Sequence, residues 1–397
     1  MTAFAGGAFA PAPLADDSSL TRAERVALSA PFERPTLVLD LEAVAETHGA
    51  LAAGLGRAEL YYAVKANPHP ALIERLIALG ARFDCASRGE LALCLSLGAA
   101  PGRLSYGNTI KRAADIAWAH GAGVGLFAAD ADEELEKIAA NAPGAQVYVR
   151  VLVDNPEADW PLSRKFGCAP ETALRLLRRA RGLGLAPVGL SFHVGSQTRE
   201  ARFWAPTLAF VGGIWAQAQA EARAAGCPLD LINIGGGFPA SYEAAVAAPG
   251  DYAAEVMAMV EAHFPDAARV MAEPGRGLAA AAGALACEVM LVARKSESDL
   301  HRWVYLSAGR FSGLAETEGE AIRYPFLTHR AAEPTGPCIV AGPSCDSADV
   351  LYERRPVHLP LGLASGDRVV LRGAGAYTTS YASVGFNGFP PLDVLVI

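Results

Sequence analysis

Between about residue 60 and residue 275, short apolar runs alternate with stretches whose apolar positions recur at helical spacing, the pattern of strands and helices taking turns around a parallel sheet. The runs fall at residues 60–66, 82–86, 103–107, 123–128, 146–153, 186–194, 229–234 and 269–272. Helical stretches at 71–79, 89–97, 110–119, 172–181 and 204–225 lie between them. Eight such units in roughly 215 residues predict a (β/α)8 barrel, because a doubly wound sheet more often stops at five or six strands.

Near residues 279–286 the pattern changes. β-branched runs at 288–293, 303–306, 337–340, 368–371 and 394–397 are then separated by Gly, Pro and Asp turns without helical period, which predicts a separate β domain. The apolar segment 36–41, upstream of the first barrel strand, can pair with that domain and bring the two ends of the chain together. The predicted fold class is α/β: a tail and joining strand over 1–35, a (β/α)8 TIM barrel over 36–279, and a C-terminal all-β domain over 280–397.

Composition narrows the function classes. A chain of 397 residues that is 52% hydrophobic and 19% charged can bury a sizeable core and is neither disordered nor fibrous. No apolar run approaches the roughly 20 residues of a membrane span. Lys+Arg 34 against Asp+Glu 42, a net charge of −8 with no basic block, argues against nucleic acid as a partner. Seven cysteines without a C-x-x-C pair fit neither a disulfide framework nor a zinc ribbon, so reduced thiols, a cytoplasmic setting and no metal are expected. The first 13 residues are rich in Ala, Gly and Pro but lack the basic and apolar regions of a secretory signal, which predicts a tail. Lysine is scarce. Only Lys65, Lys111, Lys137, Lys165 and Lys295 occur, so lysine chemistry has few places to be.

Barrels of this kind build their sites at the C-terminal ends of the strands. The first run ends Tyr62-Ala63-Val64-Lys65-Ala66-Asn67, placing a lysine where an apolar strand opens into the mouth. Burial there would lower its pKa and favour the neutral amine that a Schiff base requires. The second run ends Asp84-Cys85-Ala86-Ser87, the fifth carries Arg150 and Asp154, and the sixth ends Phe192-His193-Val194-Gly195-Ser196-Gln197. After the seventh comes Gly235-Gly236-Gly237, and after the eighth Glu273-Pro274-Gly275-Arg276. Glycine runs let backbone N–H groups approach an anion, and the last two loops are this barrel's usual phosphate site. The spacing is not that of a dinucleotide site, so a nicotinamide cofactor is not supported. Each residue alone has a bland role: His193 as a structural histidine, Glu273 as a salt bridge to Arg276. Together, an amine, a phosphate nest with an arginine, a carboxylate for a ring nitrogen and a histidine for a ring face are the set that pyridoxal 5'-phosphate needs.

From Pro35 to Ile397 the chain resembles the fold-type III pyridoxal-phosphate decarboxylases, which act on ornithine, lysine, diaminopimelate or arginine. The motifs are Tyr62-Ala63-Val64-Lys65-Ala66-Asn67, Phe83-Asp84-Cys85-Ala86-Ser87 with Glu90, His193 to Gln197, Gly235 to Pro239, Glu273 to Arg276, Gly342-Pro343-Ser344-Cys345-Asp346-Ser347-Ala348-Asp349, and Gly375-Ala376-Tyr377 followed by Phe386-Asn387-Gly388-Phe389. The resemblance implies that Lys65 holds the cofactor covalently, His193 stacks on its ring and Glu273 pairs with its nitrogen. Ser196, Gly235, Gly236, Gly237, Gly275, Arg276 and Tyr377 would hold the phosphate, with Asp84 and Arg150 nearby. It further implies a homodimer with shared sites, in which Cys345 and Asp346 serve the neighbour's Lys65 and Lys165 pairs with Asp349 across the dimer.

The implied reaction is α-decarboxylation, with Cys345 guiding reprotonation. Ornithine and lysine present a distal ammonium that wants an acid, whereas diaminopimelate needs a cation. Glu316, Glu318 and Glu320 lie where the family places substrate-side residues, so Glu316 stands with Asp346 and Phe386 as the substrate set, while which glutamate meets the ammonium stays open. The expected function is L-ornithine to putrescine in polyamine biosynthesis, with L-lysine to cadaverine as a second use. The eukaryotic ornithine enzymes carry Tyr-Asp-His where this chain has Glu316-Thr317-Glu318, which resembles the bacterial ornithine/lysine branch. The rival readings are a diaminopimelate decarboxylase, a racemase of the same fold, and a non-catalytic regulatory homologue.

Overall fold

Four-residue runs such as Leu126–Ala129 are buried at every position, as strands covered on both faces must be. The computed structural model describes residues 19–154, 165–384, 387 and 392–397. It divides into two units, one of residues 41–279 and one of the segments on either side.

Strand β1 (Thr36–Leu39) belongs to the second unit. The first unit holds β2 (Glu59–Ala63), β3 (Arg82–Cys85), β4 (Leu104–Tyr106), β5 (Leu126–Ala129), β6 (Gln146–Arg150), β7 (Ala186–Ser191), β8 (Leu231–Asn233) and β9 (Arg269–Ala272). All pair in parallel with their sequence neighbours, and β9 pairs with β2 to close an eight-stranded barrel. The (β/α)8 fold read from periodicity is the one observed. Where the sequence helix at 110–119 is expected, the structure has Ala113–Gly121, because Asn108 to Arg112 form a loop.

Local chemistry sets the helix starts. Proline occupies the first turn of the helices Pro70–Ala78, Pro170–Gly182 and Pro249–His263, where its missing N–H costs nothing. Ser87 caps Arg88–Ser96 by accepting the Glu90 N–H, and Glu90 reaches back to accept the Ala86 N–H at 2.6 Å. The helices Leu41–Leu55, Asp132–Asn141 and Pro249–His263 have no counterpart among the helical stretches read from sequence. Asp132–Asn141 shows why: Leu135 and Ile138 are its only large apolar residues, too few to mark a period.

The second unit adds β10 (Gly283–Ala293), β11 (Arg302–Leu306), β12 (Phe326–Thr328), β13 (Thr335–Ala341), β14 (Val350–Pro360), β15 (Arg368–Arg372) and β16 (Asp393–Val396). The sheet runs β12-β15-β10-β11-β13-β14, with β1 antiparallel to β10 and parallel to β16. The pairing of β1 puts the first residue of the barrel unit at Leu41 rather than at 36. A helix, Arg22–Ser29, is started by a Thr21/Glu24 capping box, and Glu24 also accepts from Arg372 at 2.6 Å.

Candidate active site

Tyr61, Leu126, Ala128, Tyr148, Leu231 and Met271 come from five barrel strands and meet in one buried cluster, a packed layer inside the barrel. Side chains on a strand alternate faces, so the residue two positions further on points the same way. That step leads from Tyr61 to Ala63, from Tyr148 to Arg150, from Leu231 to Asn233 and from Met271 to Glu273. Asp84 lies in register beside Ala63 and Ser105. A ring of polar side chains therefore sits one layer above an apolar floor, at the strand ends.

Lys65 follows Ala63 in a single 3-10 turn, Val64–Ala66. Its Nζ stands 3.9 Å from Asp84 Oδ2; Lys65 is 47% exposed and Asp84 4%. The expected burial of the lysine is thus corrected: the turn carries the side chain off the strand, and the buried partner is the carboxyl. Burial first, then the negative charge of Glu273, pushes the Asp84 carboxyl well above its usual range, against the pull of Lys65. Asp84 Oδ1 is buried and has no hydrogen-bond partner among the described residues.

His193, two residues beyond β7, accepts the Gly195 N–H at Nδ1, 2.9 Å away. A nitrogen that accepts cannot carry a proton, so this bond favours the neutral ring. Burial first, then the charges of Arg150 and Lys65, holds its pKa well below the ordinary value. The glycine loop lies against the same ring. A Cβ at Gly236 would come 2.9 Å from His193 Nε2, and Gly237, at φ 114, adopts backbone that favours glycine. Beyond it Arg276, 3% exposed, donates to Ser196 Oγ at 3.2 Å and to the Tyr242 hydroxyl at 3.1 Å. Arg150 packs over the Phe166 ring, 5.5 Å to its centroid. Gly275 is buried in the turn that accepts the Ala279 N–H.

Asn233 and Tyr242 lie outside the motifs of the sequence, and Gln197 stands in one of them without an assigned role. Asn233 Nδ2 donates to Glu273 Oε1 at 2.6 Å while its Oδ1 accepts from the Gly235 N–H at 2.9 Å. One amide thus ties the carboxylate to the glycine loop; its signal was a polar residue inside Leu231-Ile232-Asn233-Ile234. Gln197 sits at φ 59, an unfavourable left-handed conformation for a non-glycine residue, and is held by paired bonds between its amide and the Ala240 backbone. Tyr242 carries no sequence signal at all.

The remaining predicted residues lie in the β unit. Glu316 is buried, Glu318 is exposed, and Glu320 is committed elsewhere: its Oε1 accepts the N–H groups of Glu353, Arg354 and Arg355 while Oε2 meets Arg323 at 2.8 Å. Cys345 and Asp346 are exposed on a turn, where Asp346 accepts the Ala348 N–H. Asp349, whose expected pairing with Lys165 is one between subunits, accepts within the chain from the Arg310 and Ser344 N–H groups at 2.8 and 3.0 Å. Lys165 stands over the Phe166 ring. Tyr377 is at φ 55, its ring edge-on to Tyr381. Phe386 lies outside the described residues.

The barrel set fits pyridoxal phosphate on its own geometry: an exposed amine beside an orphaned buried carboxyl oxygen, a glycine loop that no Cβ could enter, a buried guanidinium held by neutral hydroxyls, and an amide-held carboxylate. Residues 41–280 match the family model described as pyridoxal-dependent decarboxylase, pyridoxal binding domain. The chain is 34% identical to the lysine/ornithine decarboxylase of Selenomonas ruminantium over 93% of its own length and 91% of the relative's. It is 31% identical to antizyme inhibitor 2 of Xenopus laevis over 89% and 78%. The crystal structure of the Vibrio vulnificus lysine/ornithine decarboxylase complexed with cadaverine superposes with a TM-score of 0.81 at 33% identity, covering 92% of this chain and 95% of that one.

Proposed function

Because the chain belongs to the pyridoxal-dependent decarboxylases, with pyridoxal 5'-phosphate as its cofactor, we propose that it converts L-ornithine to putrescine and CO2 and accepts L-lysine, giving cadaverine, as a second substrate. The observation that carries the reading is the strand-end layer in which Lys65, Asp84, His193, Asn233 and Glu273 come together. Bound there, the cofactor supplies an electron sink for the pair released when the Cα–carboxylate bond breaks.

The chain's own residues would do the rest. Lys65 is the covalent anchor. Glu273, oriented by the Asn233 amide, would pair with the ring nitrogen, and the neutral imidazole of His193 would cover one ring face without adding positive charge. Ser196, Gly235, Gly236, Gly237, Gly275, Arg276 and Tyr377 would bind the phosphate. Asp84 and Arg150 set the charge around Lys65. In the proposed homodimer Cys345 returns the proton to Cα of the neighbour's substrate, while Asp346 and Glu316, with Phe386, recognise its far end. Glu316 is preferred over Glu320 because the latter's carboxylate is occupied by backbone N–H groups and Arg323.

The likeness to antizyme inhibitor 2 gives a regulatory reading a specific footing. Against it stands the retention of Lys65, His193, Glu273 and Arg276. Measuring CO2 release from ornithine, lysine, arginine and diaminopimelate in parallel separates the alternatives. Release from ornithine, with lysine slower, is expected, since one methylene is typically worth about 1–3 kcal/mol. Release from diaminopimelate alone would overturn the acidic-pocket reading, and release from none would favour the regulator.

A further inference from the structure

Two of the five lysines meet inside the barrel unit, away from Lys65. Lys111 Nζ is 2.9 Å from Glu134 Oε1, and its side chain has no exposure; Lys137 Nζ reaches Glu134 Oε2 at 2.6 Å and the Lys111 carbonyl at 2.8 Å. Apolar residues of similar volume are often as stable as such a buried pair or more so, so stability alone does not call for it. What the ammonium does is hold backbone. It donates to the carbonyls of Asn108, at 2.7 Å, and Ala128, at 2.6 Å, pinning the β4 loop to the end of β5.

That loop runs straight to the candidate site. The Gly107 N–H donates to the Cys85 carbonyl at 3.0 Å, and the Asn108 amide donates to the Ala86 carbonyl at 3.2 Å, on the two residues after Asp84. Gly107 itself backs onto Asp84, where a Cβ would overlap Oδ1. The loop is therefore the wall that keeps water from that carboxyl. We infer that Lys111, locked by Glu134, is a positioning residue: it presses the Gly107–Asn108 backbone against Asp84 and so sets the charge facing Lys65. This rests on the cofactor reading above. Lys111 is held down to about 8 by burial, against the upward pull of Glu134, with Lys137 and Asp130 as its other charged neighbours and the Tyr106 ring 5.5 Å away. The groups facing Asp84 are Glu273, Lys65, Glu90 and Arg150.

The test is the double variant Lys111→Met/Glu134→Gln, which removes both buried charges together, with Lys111→Arg as the charge-conserving companion. With the wall loosened, Asp84 gains water and ionises more easily, favouring the protonated nitrogen at Lys65. The visible band of the cofactor-loaded protein should then titrate about one pH unit higher than in the wild type. The kcat should fall about tenfold with KM within about twofold, the split expected when positioning rather than binding is lost. Lys111→Arg, keeping the charge, should recover part of both. A double variant that is folded, with wild-type titration and kcat, would show the pair to be packing only. Should the double variant not fold, Asn108→Ala, which removes the loop's donor to the Ala86 carbonyl, takes its place, and wild-type titration and kcat in that protein would overturn the inference. A wild-type protein that forms no visible band would instead remove the cofactor reading on which the inference rests.

Discussion

His193 shows how one backbone bond decides a side chain's chemistry. The Nδ1 that accepts from Gly195 favours the neutral ring, and burial first, then the charges of Arg150 and Lys65, lowers its pKa in the same direction. An imidazolium there would oppose the positive charge that the Glu273 carboxylate would stabilise on the ring nitrogen. Asn233 has the complementary task, since it serves two partners at once. Replacing it with leucine would leave the Glu273 oxygen without its donor and the Gly235 N–H without its acceptor. A hydrogen bond to a charged group is worth about 1.5–3 kcal/mol, so Asn233→Leu should lower kcat roughly tenfold to a hundredfold. Cofactor affinity should fall as well, because the same side chain holds the glycine loop. Steady-state kinetics and cofactor titration check both halves, and a variant with unchanged kcat would remove Asn233 from the site.

Elements were legible in the sequence to the extent that burial imposed a period. The eight barrel strands are largely buried on both faces, and all eight appear where the runs place them, to within a few residues at the ends. The candidate site was legible for the same reason, since residues that end strands in this fold face one mouth. Elements whose residues answer to local chemistry rather than to a core were not legible. β14 carries Glu353, Arg354, Arg355 and Pro356 in mid-strand, where its register with β13 breaks and the N–H groups of the first three donate to the distant Glu320 carboxylate. Lys65 is the instructive residue. Its place at the strand end was correct, but the 3-10 turn that exposes it leaves no mark in a run of apolar neighbours. Asp84, not the lysine, bears the cost of burial.

At the scale of the whole molecule, the proposed site requires two chains. Cys345 and Asp346 are exposed in the single chain, and Asp349 shapes the turn that presents them. If they complete a neighbour's site, Lys65→Ala and Cys345→Ala proteins, each inactive or weak, should restore activity when their subunits exchange. Equal mixing yields one intact site in each mixed dimer, hence about a quarter of wild-type activity. No recovery after exchange is confirmed by mass would place both residues in the same chain's site. Before any of this, Lys65 must be the covalent anchor of the cofactor. The visible absorbance of protein freed of unbound pyridoxal phosphate tests it directly: a band in the wild type that is lost in Lys65→Ala is the result expected, and a colourless wild type, or a band that survives the substitution, would contradict it.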